Sequence, residues 1–265
     1  MPPAPAPRAA KSLISGVSGV AYSLNILEVM GSSRFLKLFS LMILAGLVPG
    51  LAAFAAHHDP RLQNARELLG GSFKRKVVRK GGSAVEISDF VAETTRRFLP
   101  KKQKARAKDV SNAIVNAAEE FDLDPVFLMA VVQNESSFDP SKKGSAGEIG
   151  VMQILPVTAK WIADLYSLEY SGPKSLYDPV TNIWIGAALI DRLRHQFDSK
   201  GHLYLSAYNL GPKKVRTMIS ENKMPKAYVK AVLNRYLALY DGYKTKGDLE
   251  LLGRQAVRNV MNLTN

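Results

Sequence analysis

From Asp109 onward apolar positions recur every three or four residues and strict alternation is scarce, the pattern of packed helices rather than of a sheet. Asp124-Pro125 and Asp178-Pro179 each set a capping acid before a proline at the first helical position. They predict helices over 125–137 and 179–197, preceded by one near 111–121. Further helices are expected from Pro156 to Tyr166, His202 to Tyr208, Lys226 to Tyr240 and Leu249 to Val260. A short hairpin has room anywhere within 139–155. Upstream, Ser83-Ala84-Val85-Glu86 has capping-box spacing and opens a helix that runs to about Phe98.

Earlier still, Leu38 to Ala56 are 19 consecutive uncharged residues behind Arg34 and Lys37. A membrane span needs about 20 apolar residues, and Pro49-Gly50 interrupts this run. Ala53-Phe54-Ala55 fits a small-x-small cleavage site, so the run reads either as a cleaved export signal or as an uncleaved anchor. Under both readings the positive flank stays inside and the chain after residue 57 is exported, to the periplasm or cell envelope, soluble or tethered to the inner membrane. Four segments follow: a signal or anchor over 1–57, a basic linker with one helix over 58–108, a helical domain over 109–245 and a terminal helix over 246–265.

With 265 residues, 46% of them hydrophobic, the chain has ample material for a core. It has no cysteine, which excludes disulfides, thiol nucleophiles and cysteine metal sites. The net charge of +13 suggests nucleic acid until its distribution is counted. Residues 1–108 carry 18 Lys and Arg against 6 Asp and Glu, whereas 109–265 carry 18 against 17. The basic runs, Lys74 to Lys80 and Arg96 to Lys108, read first as solvated linker charge. The sharper reading is adhesion to an anionic membrane surface or cell-envelope assembly, which basic segments achieve without specificity. Nucleic acid is not an expected partner, since no recognition-helix or zinc-finger pattern is present.

On the helix opened by Pro125, Leu128, Val131 and Glu135 stand at i, i+3 and i+7, so the carboxylate continues an apolar face. Loss of water disfavours the charged form and raises a carboxyl pKa, as a general acid at neutral pH requires. A negative charge at a helix C-terminus is mildly unfavourable, which points to a selection other than helix stability.

Three blocks surround that residue in order. They are Asn134-Glu135-Ser136-Ser137-Phe138-Asp139-Pro140, then Ala146-Gly147-Glu148-Ile149-Gly150-Val151-Met152-Gln153-Ile154-Leu155-Pro156, then Ser206-Ala207-Tyr208-Asn209-Leu210-Gly211. Together they resemble the Glu-Ser, Gly-x-Met-Gln-x-x-Pro and Ala-Tyr-Asn-x-Gly motifs of the soluble-type lytic transglycosylases. Leu176-Tyr177-Asp178-Pro179 with Asn182 and Gly186, and Pro225 with Tyr228-Val229, are weaker matches of the same kind. The resemblance covers about residues 109–240.

It implies a mainly α, lysozyme-like domain in which Glu135 is the sole catalytic acid and base. Ser136 would sit beside it, and Gly150, Met152, Gln153, Tyr208, Asn209 and Tyr228 would line or shape the sugar groove. Many members have serine where this chain has Gly144, with Ser145 next to it, so a hydroxyl contact from Ser145 is the weakest of these assignments. Peptidoglycan glycan strands are the implied substrate, cut between N-acetylmuramic acid and N-acetylglucosamine with formation of a 1,6-anhydro ring, and no metal or organic cofactor is implied. A goose-type hydrolase with Asp139, Glu148 or Asp178 as second carboxylate is one alternative; a catalytically silent wall-binding module is another.

Overall fold

The computed structural model describes residues 59–72, 84–224 and 226–243. The expected signal or anchor over 1–57, the basic run at 74–80 and the helix at 249–260 lie outside the described residues. Among the described residues no helix is long and apolar enough to cross a membrane.

Among the described residues nine α-helices follow one another: α1 (Pro60–Leu69), α2 (Ala84–Phe98), α3 (Ala107–Glu120), α4 (Pro125–Ser136), α5 (Pro156–Tyr166), α6 (Pro179–Gln196), α7 (Gly201–Leu210), α8 (Pro212–Ser220) and α9 (227–243). Short 3-10 turns at Gly70–Ser72, Lys101–Arg106 and Pro173–Tyr177 join them. The two proline-led starts form as expected. Asp124 accepts a hydrogen bond from the Val126 N–H and Asp178 from the Thr181 N–H, so each cap satisfies a donor the helix leaves open. The described structure is mainly α. The stretch 139–155, where the sequence leaves room for a short hairpin, forms two isolated bridges, Lys143 with Ile149 and Ile149 with Ile154, because the loop turns too often to extend a ladder.

α4 is the central element, with every residue from Val126 to Val132 buried. A helix apolar on all sides belongs inside a bundle, so its single apolar face read from the sequence understates its position. α3 packs on α4 and α6, α7 on α6 and α8, and α5 on α6. α9 closes the bundle with Val229, Val232, Tyr236, Tyr240 and Tyr243, spaced by three or four and all buried.

The segment read as a basic linker contributes two helices to the same core. Ala65 and Leu68 of α1 and Ile87 and Val91 of α2 are buried with the rest. α1 docks through Asn64, whose side-chain oxygen accepts from the Asp124 N–H at 3.0 Å, and through a buried Arg194–Glu67 ion pair at 2.7 Å. Phe98 at the end of α2 stacks on Phe138 with centroids 5.7 Å apart. The charges of the second basic run point outward: Lys101, Lys102, Lys104 and Lys108 are exposed, and Arg106 pairs with Asp178.

Candidate active site

Glu135 occupies the last turn of α4, where the bundle gives way to the loop over 137–155. Its backbone is still helical and its side chain is largely buried. Ser137 then turns left-handed at φ 54° and ends the helix, its N–H bonded to the Gln133 carbonyl. Tyr228, in the first turn of α9, donates its hydroxyl to Glu135 Oε1. Asn134 bonds the same carboxylate, and the Lys142 ammonium donates to the Glu135 carbonyl oxygen.

Loss of water raises the Glu135 pKa above the ordinary carboxyl value, against the lowering effects of Tyr228, Asn134 and Lys142; Glu148 adds a smaller upward push. Burial likewise pushes the Tyr228 and Tyr208 hydroxyls well above the usual phenol range, so both stay neutral donors. One poorly solvated carboxyl with a proton within its reach thus stands between neutral hydroxyls.

The second block is tied to the end of α4 and to α6 and α7. Gly150 has φ +82°, and a Cβ added there would come within 2.3 Å of the Leu176 carbonyl and 2.4 Å of Asn182 Nδ2, so only glycine fits. The buried Asn182 side chain accepts from the Met152 N–H at 2.7 Å and donates to the Ile149 and Leu176 carbonyls at 2.9 and 3.0 Å. Tyr208 donates to the Met152 carbonyl at 2.8 Å, and Ser136 to the Val151 carbonyl at 2.8 Å. Gln153, left-handed at φ 51°, spends its Nε2 on the Lys142 and Gly150 carbonyls.

The expected site residues therefore divide. Glu135, Tyr228 and Tyr208 stand together, and Gln153 lies in the loop that Lys142 ties to Glu135. Met152 does not line a groove with its side chain: it is fully buried against Gly186, where an added Cβ would lie 2.3 Å from its sulfur, and only its backbone takes part. Ser136 is buried too, its hydroxyl committed to backbone carbonyls, so it holds the loop rather than facing a ligand. Asn209 and Ser145 are exposed. Of the candidate second carboxylates, Asp178 is held by Arg106 and its cap, and Asp139 by the Ser141 N–H and hydroxyl. Glu148 alone of the three acts on Glu135. Asn134 and Lys142 went unnoticed as partners of Glu135, since nothing in their local pattern announces contacts made by a folded loop.

Residues 112–230 match the family described as the transglycosylase SLT domain. The chain is 37% identical over 97 residues to a soluble lytic murein transglycosylase of Escherichia coli, which covers 36% of this chain and 15% of that protein. It is 30% identical over 148 residues to the membrane-bound lytic murein transglycosylase C of Haemophilus influenzae, covering 52% of this chain and 38% of the other. A solved lytic transglycosylase Slt from Pseudomonas aeruginosa overlays with a TM-score of 0.45 at 26% identity, over 49% of this chain and 23% of that one. The chain thus spans well under half the length of each of these relatives. The matched segment, from residue 112 to residue 230, takes in Glu135, the loop and Tyr228 and is similar to the transglycosylase SLT domain family.

Proposed function

We propose that this protein is a lytic transglycosylase that cleaves the β-1,4 bond between N-acetylmuramic acid and N-acetylglucosamine in peptidoglycan and closes a 1,6-anhydro ring on the muramic acid. The observation that carries the reading is the Glu135 carboxyl, short of water, raised in pKa and held at the end of α4 by the Tyr228 hydroxyl.

In this mechanism protonated Glu135 gives its proton to the glycosidic oxygen, and the bond from that oxygen to C1 breaks. The resulting carboxylate takes the proton of the muramic acid 6-hydroxyl as its oxygen bonds to C1. Glu135 ends protonated, no water is consumed, and the next cycle begins from the same state. A nucleophile already inside the substrate has the proximity that a second protein carboxylate or a bound water otherwise supplies. Tyr228 holds the carboxyl in place, Gln153 and Tyr208 fix the loop and shape the groove beside it, and Asn209 and Ser145 are exposed polar groups available to the glycan.

Replacing Glu135 by Gln keeps shape and removes the acid. Lysis of purified cell wall should fall at least about a hundredfold, the lower end of what general acid catalysis contributes, while wall binding persists. Undiminished lysis would refute the role. Mass spectrometry of the digest separates the hydrolase reading, since anhydro ends lack one water relative to hydrolysed ends. We further propose action in the cell envelope, with the outward-facing Lys101, Lys102, Lys104 and Lys108 adding non-specific attraction to anionic lipid or wall.

A further inference from the structure

We propose that Glu148 is a second acidic residue of the groove, a positioning residue held beside Gln153 in the room that Gly144 leaves open, acting on the reaction through Glu135 by charge repulsion. The inference rests on the role given to Glu135 above.

The placement is steric first. A Cβ at Gly144 would lie 2.2 Å from Glu148 Oε2, 2.9 Å from its Cδ and 3.0 Å from Gln153 Oε1. A side chain at 144 and the Glu148 carboxylate thus exclude each other. The room beside Gly144 goes to a carboxylate. The carboxylate is fixed there by the Ala146 N–H, which donates to Oε2 at 3.0 Å. The turn beneath it is closed by the Gly144 N–H on the Glu148 carbonyl at 2.8 Å and the Gly147 N–H on the Gly144 carbonyl at 3.2 Å.

That turn is tied to Glu135 from both sides. Lys142 bonds the Glu135 carbonyl, Gln153 bonds the Lys142 carbonyl, and Ser136, next to Glu135, bonds Val151. The groups facing Glu135 are Tyr228 from α9, Tyr208 from α7, Asn134 from its own helix, and Lys142 and Glu148 from the loop. Two of these carry charge, and they oppose each other: the Lys142 ammonium favours the carboxylate, whereas Glu148 favours the acid. Without the Glu148 charge only burial still opposes Lys142, Tyr228 and Asn134, and Glu135 releases its proton at lower pH.

The test is an NMR titration of the Glu135 carboxyl carbon in the full chain, run beside the pH profile of cell-wall lysis. Glu148→Gln is expected to lower the Glu135 pKa and to move the alkaline limb of lysis down by the same amount. Gly144→Ala displaces the Glu148 carboxylate and is expected to do the same. In a Glu148→Ala background Gly144→Ala should add nothing, because the group it displaces is gone. An unmoved titration in Glu148→Gln, or a Gly144→Ala shift that persists without Glu148, overturns the proposal. The titration is read in protein without substrate, so it stands apart from the outcome of Glu135→Gln, which tests the proposed function alone.

Discussion

Burial withholds water from the Glu135 carboxyl, and that effect outweighs Tyr228, Asn134 and Lys142 together, all of which favour the charged form. Tyr228→Phe removes a donor to the charged form, so the Glu135 pKa should rise and the alkaline limb of lysis should move to higher pH, the direction opposite to Glu148→Gln. The rate below that limb should drop about tenfold, since a hydrogen bond to a charged group contributes on the order of 1.5 kcal/mol or more and the carboxyl loses its support. A profile that shifts down instead would contradict the assignment. Glu135 itself was legible because an acid on an apolar helical face is rare and its neighbours in sequence carry a family pattern. The exchange of Gly144 for a carboxylate at Glu148 was not legible, because it depends on how five residues close on one another.

α4 and α9 run antiparallel with a carboxylate–tyrosine contact at each end: Glu135 with Tyr228, and Asp124 with Tyr236 and Tyr240, each hydroxyl 2.7 Å from Oδ2. Burial pushes the Asp124 pKa up to about 6 despite those bonds. A folded-state pKa above the unfolded value of 3.8 gives a contribution fully present below that value and lost as pH rises through about 6. The stability advantage of the wild type over Asp124→Asn should therefore shrink by up to about 3 kcal/mol between pH 4 and pH 7 in urea denaturation. A constant difference would show that the group does not titrate in this window. In the loop, Asn182→Ala leaves a backbone N–H and two carbonyls without their partner at a fully buried position, and should cost about 3 kcal/mol in the same measurement. Element ends were legible where a side chain caps them, as at Asp124 and Asp178. α8 was missed because only Val215 of its nine residues is buried, which leaves a periodic reading nothing to count.

For the molecule as a whole, the helices before residue 107 are part of what holds the site. α1 is fixed by Glu67, which takes a two-pronged pair from Arg194 at 2.7 and 2.8 Å, with a further bond from Arg194 to the Asp122 carbonyl at 3.3 Å. Both side chains are under a tenth exposed. Arg194→Met strands the Glu67 charge and should lower unfolding stability by about 3–5 kcal/mol, whereas Arg194→Met with Glu67→Leu should recover much of it. Equal losses in single and double variants would mean that the pair is not coupled. Charge dominates the sequence over 58–108 and hides this role, since α1 turns inward only Asn64, Ala65 and Leu68 among its ten residues.

The loop that faces Glu135 has no hydrogen-bonded sheet of its own; it is suspended from Ser136 on α4, Asn182 on α6 and Tyr208 on α7. Its shape is therefore borrowed from three separate helices and cannot travel without them. Transplanting the signature residues onto a foreign scaffold would carry the letters and leave the pocket behind, while a scaffold that keeps those three anchors could accept wide changes in the loop's outward residues.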